Sequence, residues 1–380
     1  MTGRAIDLVA AGPPSPDLYD PAASAWALAS ALAARGHSVQ VAYPGPLEPS
    51  TVPVGVAVAP FPPVTAHLGT YLGDAELARS AGHRIRPTAE IVVRDPAGLG
   101  ALGHHLGRHP TVVSFLRGFA EETPEDGATD RGESRLASKV LGWRERRGVR
   151  RLEKEALAQA VRVYCSTVAQ RERLRSDYGI PEDRIQVGPT AVALGPPAPG
   201  RQAARRLVGV PDDVLLALVL PPVDPTPSRT VAPALEAFRR SRPIFPGVRL
   251  AVLGVPDAAG PGVVNLVSRD AATVVAALSA ADVTVAYPSA SGADPGLVLA
   301  LRAGLPSVVG PTVDLGPGSE SAVRRASTTD SGELASVLAE LFADPDERRR
   351  LGERARAFAS RFEPARLAEE LEGLGRPSAR

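Results

Sequence analysis

The chain has 380 residues, 44% hydrophobic and 22% charged, an ordinary globular balance with length for two hydrophobic cores rather than one. A formal net charge of +1 gives no global attraction to nucleic acid, and the single cysteine, Cys165, excludes an internal disulfide and fits a reducing, cytoplasmic compartment. No window approaches 18 consecutive apolar residues and the first apolar run is too short for a signal peptide, so neither a membrane span nor a secretory leader is expected.

Short apolar runs alternate with helical patterns along the chain. AIDLVA at 5–10 predicts a strand, and a Gly/Pro loop follows it. Residues 22–34 predict an Ala-rich helix with Leu28 and Leu32 one turn apart, closed by Gly36 as its left-handed cap. Further strands are predicted at 39–43, 91–93, 112–116 and 161–165. Cys165 lies within the last of these and reads as a small buried hydrophobe, not a nucleophile. The rhythm restarts with VLLALVL at 214–220, the continuous apolar run of a strand covered on both faces. A helix at 231–238 and strands at 250–254, 283–286 and 307–309 come next. Leu334, Val337, Leu338 and Leu341 mark an amphipathic helix, which Asp344-Pro345 stops while opening another. Strand–helix–strand alternation implies parallel pairing. The Pro/Gly stretch at 193–200 separates two such series, which sets domains at 1–195 and 196–380.

Two segments stand apart. EETPEDGATDRGES at 121–134 is polar, acidic and aperiodic, and reads as a loop. After it come Arg144, Arg146, Arg147, Arg150, Arg151 and Lys154. These read either as a solvated helix face paired with Glu145, Glu153 and Glu155, the favoured alternative, or as a patch for peripheral contact with anionic lipid or a phosphorylated acceptor.

Several segments carry a family resemblance. ALSAADVTVAYPS at 277–289, LVLALRAGLPSVV at 297–309 and FADPDERRRLGERAR in the closing helices are similar to the family 4 retaining glycosyltransferases. LASALAARGHSVQVAYP at 28–44 and YGIPEDRIQVGPTAV at 178–192 resemble the same family in the first half. The resemblance implies an α/β protein of GT-B architecture, with two Rossmann-like domains facing across a cleft. It also implies that the last helix, about 364–374, packs back on the N-terminal domain. The activity implied is transfer of a sugar from a UDP- or GDP-type nucleotide-sugar to the hydroxyl of an acceptor that the sequence does not identify.

The family's chemistry maps onto this chain incompletely. Its leaving-group cations, an Arg and a Lys, fall in LPPVDPTPSR, where Arg229 takes the Lys position or is a helix-start surface residue. Its two glutamates, eight residues apart, fall at Ser291 and Leu299, or in a second alignment at Gly292 and Ala300, and no Glu stands at any of the four. Asp294 is the nearby carboxylate, either a partial substitute or a turn residue before Pro295-Gly296. Where the family places a His at a strand end, VVSFLRG has Arg117, followed by Gly118; Arg117 either holds a phosphate or carboxylate or is structural. Ala22-Ala23 replace the family's Gly-Gly loop, and Thr190-Ala191 stand where it has Asn and Gly.

The candidate catalytic residues are therefore Arg117 and Asp294. The donor-binding candidates are Arg229, Ser291, Gly292, Asp294, Gly296 and Leu297, with Gly118 and Thr190 lining the cleft. No CxxC, HExxH, GxSxG or Walker A pattern occurs, so no metal and no cofactor is expected. Two functions compete: an active glycosyltransferase, and a non-catalytic homologue that acts as a binding or helper partner of another protein.

Overall fold

In the computed structural model the described residues are 3–10, 12–15, 18, 21–46, 52–61, 80–81, 83–94, 112–116, 150–151, 153–165, 167–187, 192, 195–220, 227–286, 295–311, 313, 315–326 and 330–374. Backbone contacts divide the chain into two compact units. The first comprises residues 1–15, 24–191 and 364–380, and the second 16–23 and 192–363.

The first unit is built on a parallel seven-stranded sheet of order β3-β2-β1-β4-β5-β6-β7. Its strands are β1 (Ala5–Val9), β2 (Ser38–Pro44), β3 (Val56–Phe61), β4 (Ile91–Arg94), β5 (Val112–Leu116), β6 (Arg162–Cys165) and β7 (Ile185–Val187). Helix α1 (Pro21–Ala34) begins on proline and ends before Gly36, whose φ of 86° needs no Cβ. Leu28 and Leu32 are buried as their spacing requires. Trp26 meets Tyr43 edge-on at 5.4 Å and donates its indole N–H to the Gly12 carbonyl at 3.0 Å, so its polar tip is satisfied inside the core. Helix α2 (Val168–Ser176) is capped by Thr167, whose hydroxyl accepts from the Gln170 N–H. Cys165 is fully buried.

One residue of β1 breaks its apolar run. Asp7 is buried, and Arg86 answers it with its backbone N–H and its Nε, both at 2.6 Å. The same guanidinium donates to the Ser38 hydroxyl and carbonyl and the Ile6 carbonyl, so the cation that answers the buried carboxylate is itself held in place.

Glu153 departs from its expected place on a solvated face. It is 8% exposed and accepts the Tyr178 hydroxyl at 2.5 Å; burial, with that carboxylate beside it, pushes the Tyr178 phenol far above its usual range. The reason is periodicity: Ala156, Leu157 and Ala160 bury the inner side of this helical stretch, and Glu153 lies one turn from the first two. Arg151 and Glu155 pair on the outside, and Asp177 meets Arg150 and Arg173. Arg144, Arg146, Arg147, Glu145 and the segment 121–134 lie outside the described residues.

The second unit carries a parallel six-stranded sheet of order β10-β9-β8-β11-β12-β13. The strands are β8 (Leu216–Leu220), β9 (Arg249–Leu253), β10 (Val263–Leu266), β11 (Val283–Ala286), β12 (Ser307–Val309) and β13 (Arg324–Arg325). The helices are α3 (Arg201–Val208), α4 (Pro227–Ser241), α5 (Ala271–Ala280), α6 (Pro295–Ala303), α7 (Ser331–Ala343) and α8 (Pro345–Ala359). β8, β11 and β12 are buried throughout, and α4 and α7 pack Ala234, Phe238, Leu334 and Leu338 into one core with Val219, Val252 and Val285. Asp344 ends α7 and caps α8 through the Glu347 N–H at 2.8 Å, with Pro345 at the first helical position.

Helix α9 (Pro364–Gly373) returns to the first unit. Glu372 holds it there, bonding Arg35 Nη2 at 2.9 Å and His37 Nε2 at 2.8 Å. The His37 Nδ1 accepts the Arg4 N–H, which leaves the proton on Nε2 to be donated to Glu372. Arg4 completes the anchor by donating to the Leu374 carbonyl at 2.6 Å.

Candidate functional site

Both sheets reverse direction in the same way. In the second unit β8 leads through α4 to β9 on one side, while β11, its neighbour on the other side, leads through α6 to β12. The two strands end level, Leu220 opposite Ala286. Ligands of open α/β sheets bind outside the carboxyl ends of the strands at such a reversal. The segments that leave this point, 221–226 and 287–294, lie outside the described residues, and the helices that follow them are defined.

Those helices share an electrostatic character. Each begins on proline, Pro227 in α4 and Pro295 in α6, and neither has an acidic residue in its first turn. Their amino ends therefore present helix-dipole charge of one sign, positive, with no carboxylate within either first turn, which suits a phosphate. Arg229 is the third residue of α4. Gly296 and Leu297 are the second and third of α6, and both are buried. Leu299 is 6% exposed and Ala300 fully buried, so at these two positions, where the family alignment calls for a ribose-holding glutamate, α6 offers buried apolar groups. Ser291, Gly292 and Asp294 fall outside the described residues, as do Arg117, Gly118 and Thr190 of the first unit.

The strong charge clusters that are described lie elsewhere, and sequence reasoning missed them. Arg205 of α3 is fully buried and donates to Asp282, the residue before β11. Asp282 also takes Arg201 and the N–H of Leu216, the first residue of β8. In the first unit Arg4 precedes β1 and His37 precedes β2. Both clusters mark amino ends of strands, the edge opposite to the one where ligands bind, so they hold the scaffold. Asp7 pairs with a residue 79 positions away, and Arg205 with one 77 away. The available sequence signal was a lone carboxylate within or at the head of an apolar strand. Among the described residues no group of three or more His, Cys, Asp or Glu could hold a metal, and no helix is long and apolar enough to cross a membrane.

Two doubly wound parallel sheets define the class, the GT-B fold of glycosyltransferases. Sucrose-phosphate synthase from Thermosynechococcus elongatus has this fold with a TM-score of 0.70 at 16% identity, over 98% of each chain. WaaG, a glycosyltransferase involved in lipopolysaccharide biosynthesis, gives 0.62 at 19% identity over 97% of this chain and all of its own. HepE from Anabaena, solved with UDP and glucose, gives 0.62 at 14% identity over 98% and 100%. Residues 22–195 of the chain match the family described as Glycosyltransferase Family 4. A D-inositol 3-phosphate glycosyltransferase of Nocardia farcinica is 32% identical across 58% of this chain and 53% of its own length. One of the same name from Kineococcus radiotolerans is 33% identical across 28% and 26%. The chain thus spans about half the length, or less, of these curated relatives.

Proposed function

We propose that this protein transfers a sugar from a nucleotide-sugar of the UDP or GDP type to an acceptor hydroxyl, with the donor diphosphate at the amino ends of α4 and α6. The observation that carries the reading is the reversal between β8 and β11, followed by two helices whose first turns lack any carboxylate. Arg229 supplies a cation to the leaving diphosphate, and main-chain amides near Gly292 and Gly296 complete its neutralisation. Asp294 and Arg117 are the side chains on which sugar and acceptor contacts are proposed to depend. The domain division proposed with it, 1–195 and 196–380, keeps nucleotide chemistry in the second of these.

A second reading has its own observation. With Leu299 buried and apolar, α6 offers no carboxylate there to grip two ribose hydroxyls, and such charge-assisted bonds are worth about 1.5–3 kcal/mol each. This favours a non-catalytic homologue that works through a partner protein. One experiment separates the two: diphosphate release from UDP- and GDP-sugars, with simple and phosphorylated polyols as acceptors, alongside thermal shift with UDP and GDP. An active enzyme turns over at about 1 per second or faster. A binding protein shows the shift, about 2.7 kcal/mol at a hundred times its Kd, without release. Neither signal in any arm refutes the nucleotide site.

A further inference from the structure

Helix α8 approaches the end of α6 more closely than a side chain allows. A Cβ on the buried Gly352 would fall well inside van der Waals contact distance of the Gly304 carbonyl oxygen and 3.2 Å from its carbon. Gly304, just past the end of α6, has φ of 76°, and a Cβ there would lie 2.6 Å from Arg356 Nη2. Arg356 is four residues beyond Gly352 on α8 and so shares its face. It donates to the Ala303 carbonyl at 2.9 Å. That carbonyl is one of the groups a helix end leaves without an intrahelical partner, and the guanidinium also opposes the negative end of the α6 dipole.

α8 therefore grips the carboxyl end of α6 twice, once by a seat that only glycine fits and once by a guanidinium. α6 has nine residues and is buried from Gly296 to Leu301. A helix this short and confined moves as a rod, so a displacement at Gly304 is carried to Gly296 and Leu297. We propose that Gly352, seated on Gly304 and backed by Arg356, is a positioning residue for nucleotide binding: it fixes the axial height of α6 and thus of the amides in its first turn. This rests on the donor reading above.

The test uses the full chain, with dissociation constants for UDP and GDP by calorimetry and a melting curve for every variant. Gly352→Ala must move α8 off Gly304 by about 1 Å to restore ordinary contact, a displacement large enough to matter at a site of this kind. The expected result is affinity weaker by about tenfold or more. Arg356→Met should weaken binding less, and Arg356→Lys, which keeps a donor, should recover part of that loss. Arg348→Met is the control: on the same helix, Arg348 donates to Leu341 and Phe342 of α7 instead. It should lower the melting temperature and leave affinity within about twofold. If Gly352→Ala does not fold, the two Arg356 variants decide. Wild-type affinity in Gly352→Ala or, failing that, in Arg356→Met overturns the inference and leaves the donor reading standing. An equal loss in Arg348→Met overturns it as well, because the effect is then general destabilisation. A wild-type chain that binds neither nucleotide removes the donor reading and the inference with it.

Discussion

Replacing Arg205 with methionine should be among the most destabilising single changes in the second unit. The side chain is fully buried and donates to five acceptors: the carbonyls of Ala280, Pro211, Asp212 and Val214, and the Asp282 carboxylate at 2.7 Å. Methionine fills much of the volume and donates nothing. Breaking a buried ion pair from one side costs about 3–5 kcal/mol, because the other charge is left behind. Each carbonyl stranded in the core adds a desolvation cost of about 1–3 kcal/mol, though these do not sum independently. Two partners soften the loss at Asp282, since Arg201 holds it from the exposed side at 2.6 Å and the Leu216 N–H at 2.8 Å. The net expectation is about 3–5 kcal/mol, or about 6–20 °C in melting temperature for a unit of this size. Circular dichroism during heating and in urea would measure it. Arg205→Lys keeps the charge but has three donors, too few for five acceptors, and should lose less. Adding Asp282→Asn to Arg205→Met should recover part of the loss by removing the stranded charge. A loss below about 1 kcal/mol, or a double variant worse than the sum of its parts, would refute the view that this guanidinium holds α3 to the sheet.

Two further expectations concern charge and capping. Bonds from Arg35, and then from His37, hold the Glu372 carboxyl down to about 2, below its unfolded value of 4.5, so its stabilisation is complete above pH 4.5 and is lost as pH falls toward 2. The melting-temperature gap between wild type and Glu372→Gln, worth at most about 3 kcal/mol and less because Arg35 is a third exposed, should therefore persist from neutral pH to about 5 and close below it; a gap that widens in acid contradicts this assignment. Asp270 caps α5 by accepting from the Thr273 N–H at 2.9 Å and the Thr273 hydroxyl, so Asp270→Ala should cost about 0.5–2 kcal/mol in urea unfolding while Asp270→Asn keeps most of it; equal losses would show that the cap bond is not the cause.

The legibility of the fold in the sequence divides along one physical line. The interior strands of both sheets, such as IVV in β4 and LALVL in β8, are covered on both faces and announce themselves as continuous apolar runs. The four strands without such a signal, β3, β7, β10 and β13, are the two edges of each sheet. β10 is half-buried along its length, β13 is two exposed arginines, and β3 carries Pro60, which an edge strand tolerates. Helix α5, AATVVAALSA, escaped for the opposite reason: with Val274, Ala276, Ala277, Leu278 and Ala280 all buried, it lacks a polar face to set a period. The candidate site was legible only as a place. Leu297 could be put in a helix from sequence, while the arginine partners of Asp7 and Asp282, more than 70 residues distant, could not be read from any local pattern.

The return of α9 sets an order of assembly during synthesis. The second unit is complete once residue 363 has been made, while the first still waits for Pro364–Gly373. Until those ten residues emerge, Arg35 and His37 have no Glu372 to receive them, although everything else in the first unit was translated first. The half that is made earliest is therefore finished last. A premature stop near residue 360 would damage the opposite end of the gene product from the one it removes.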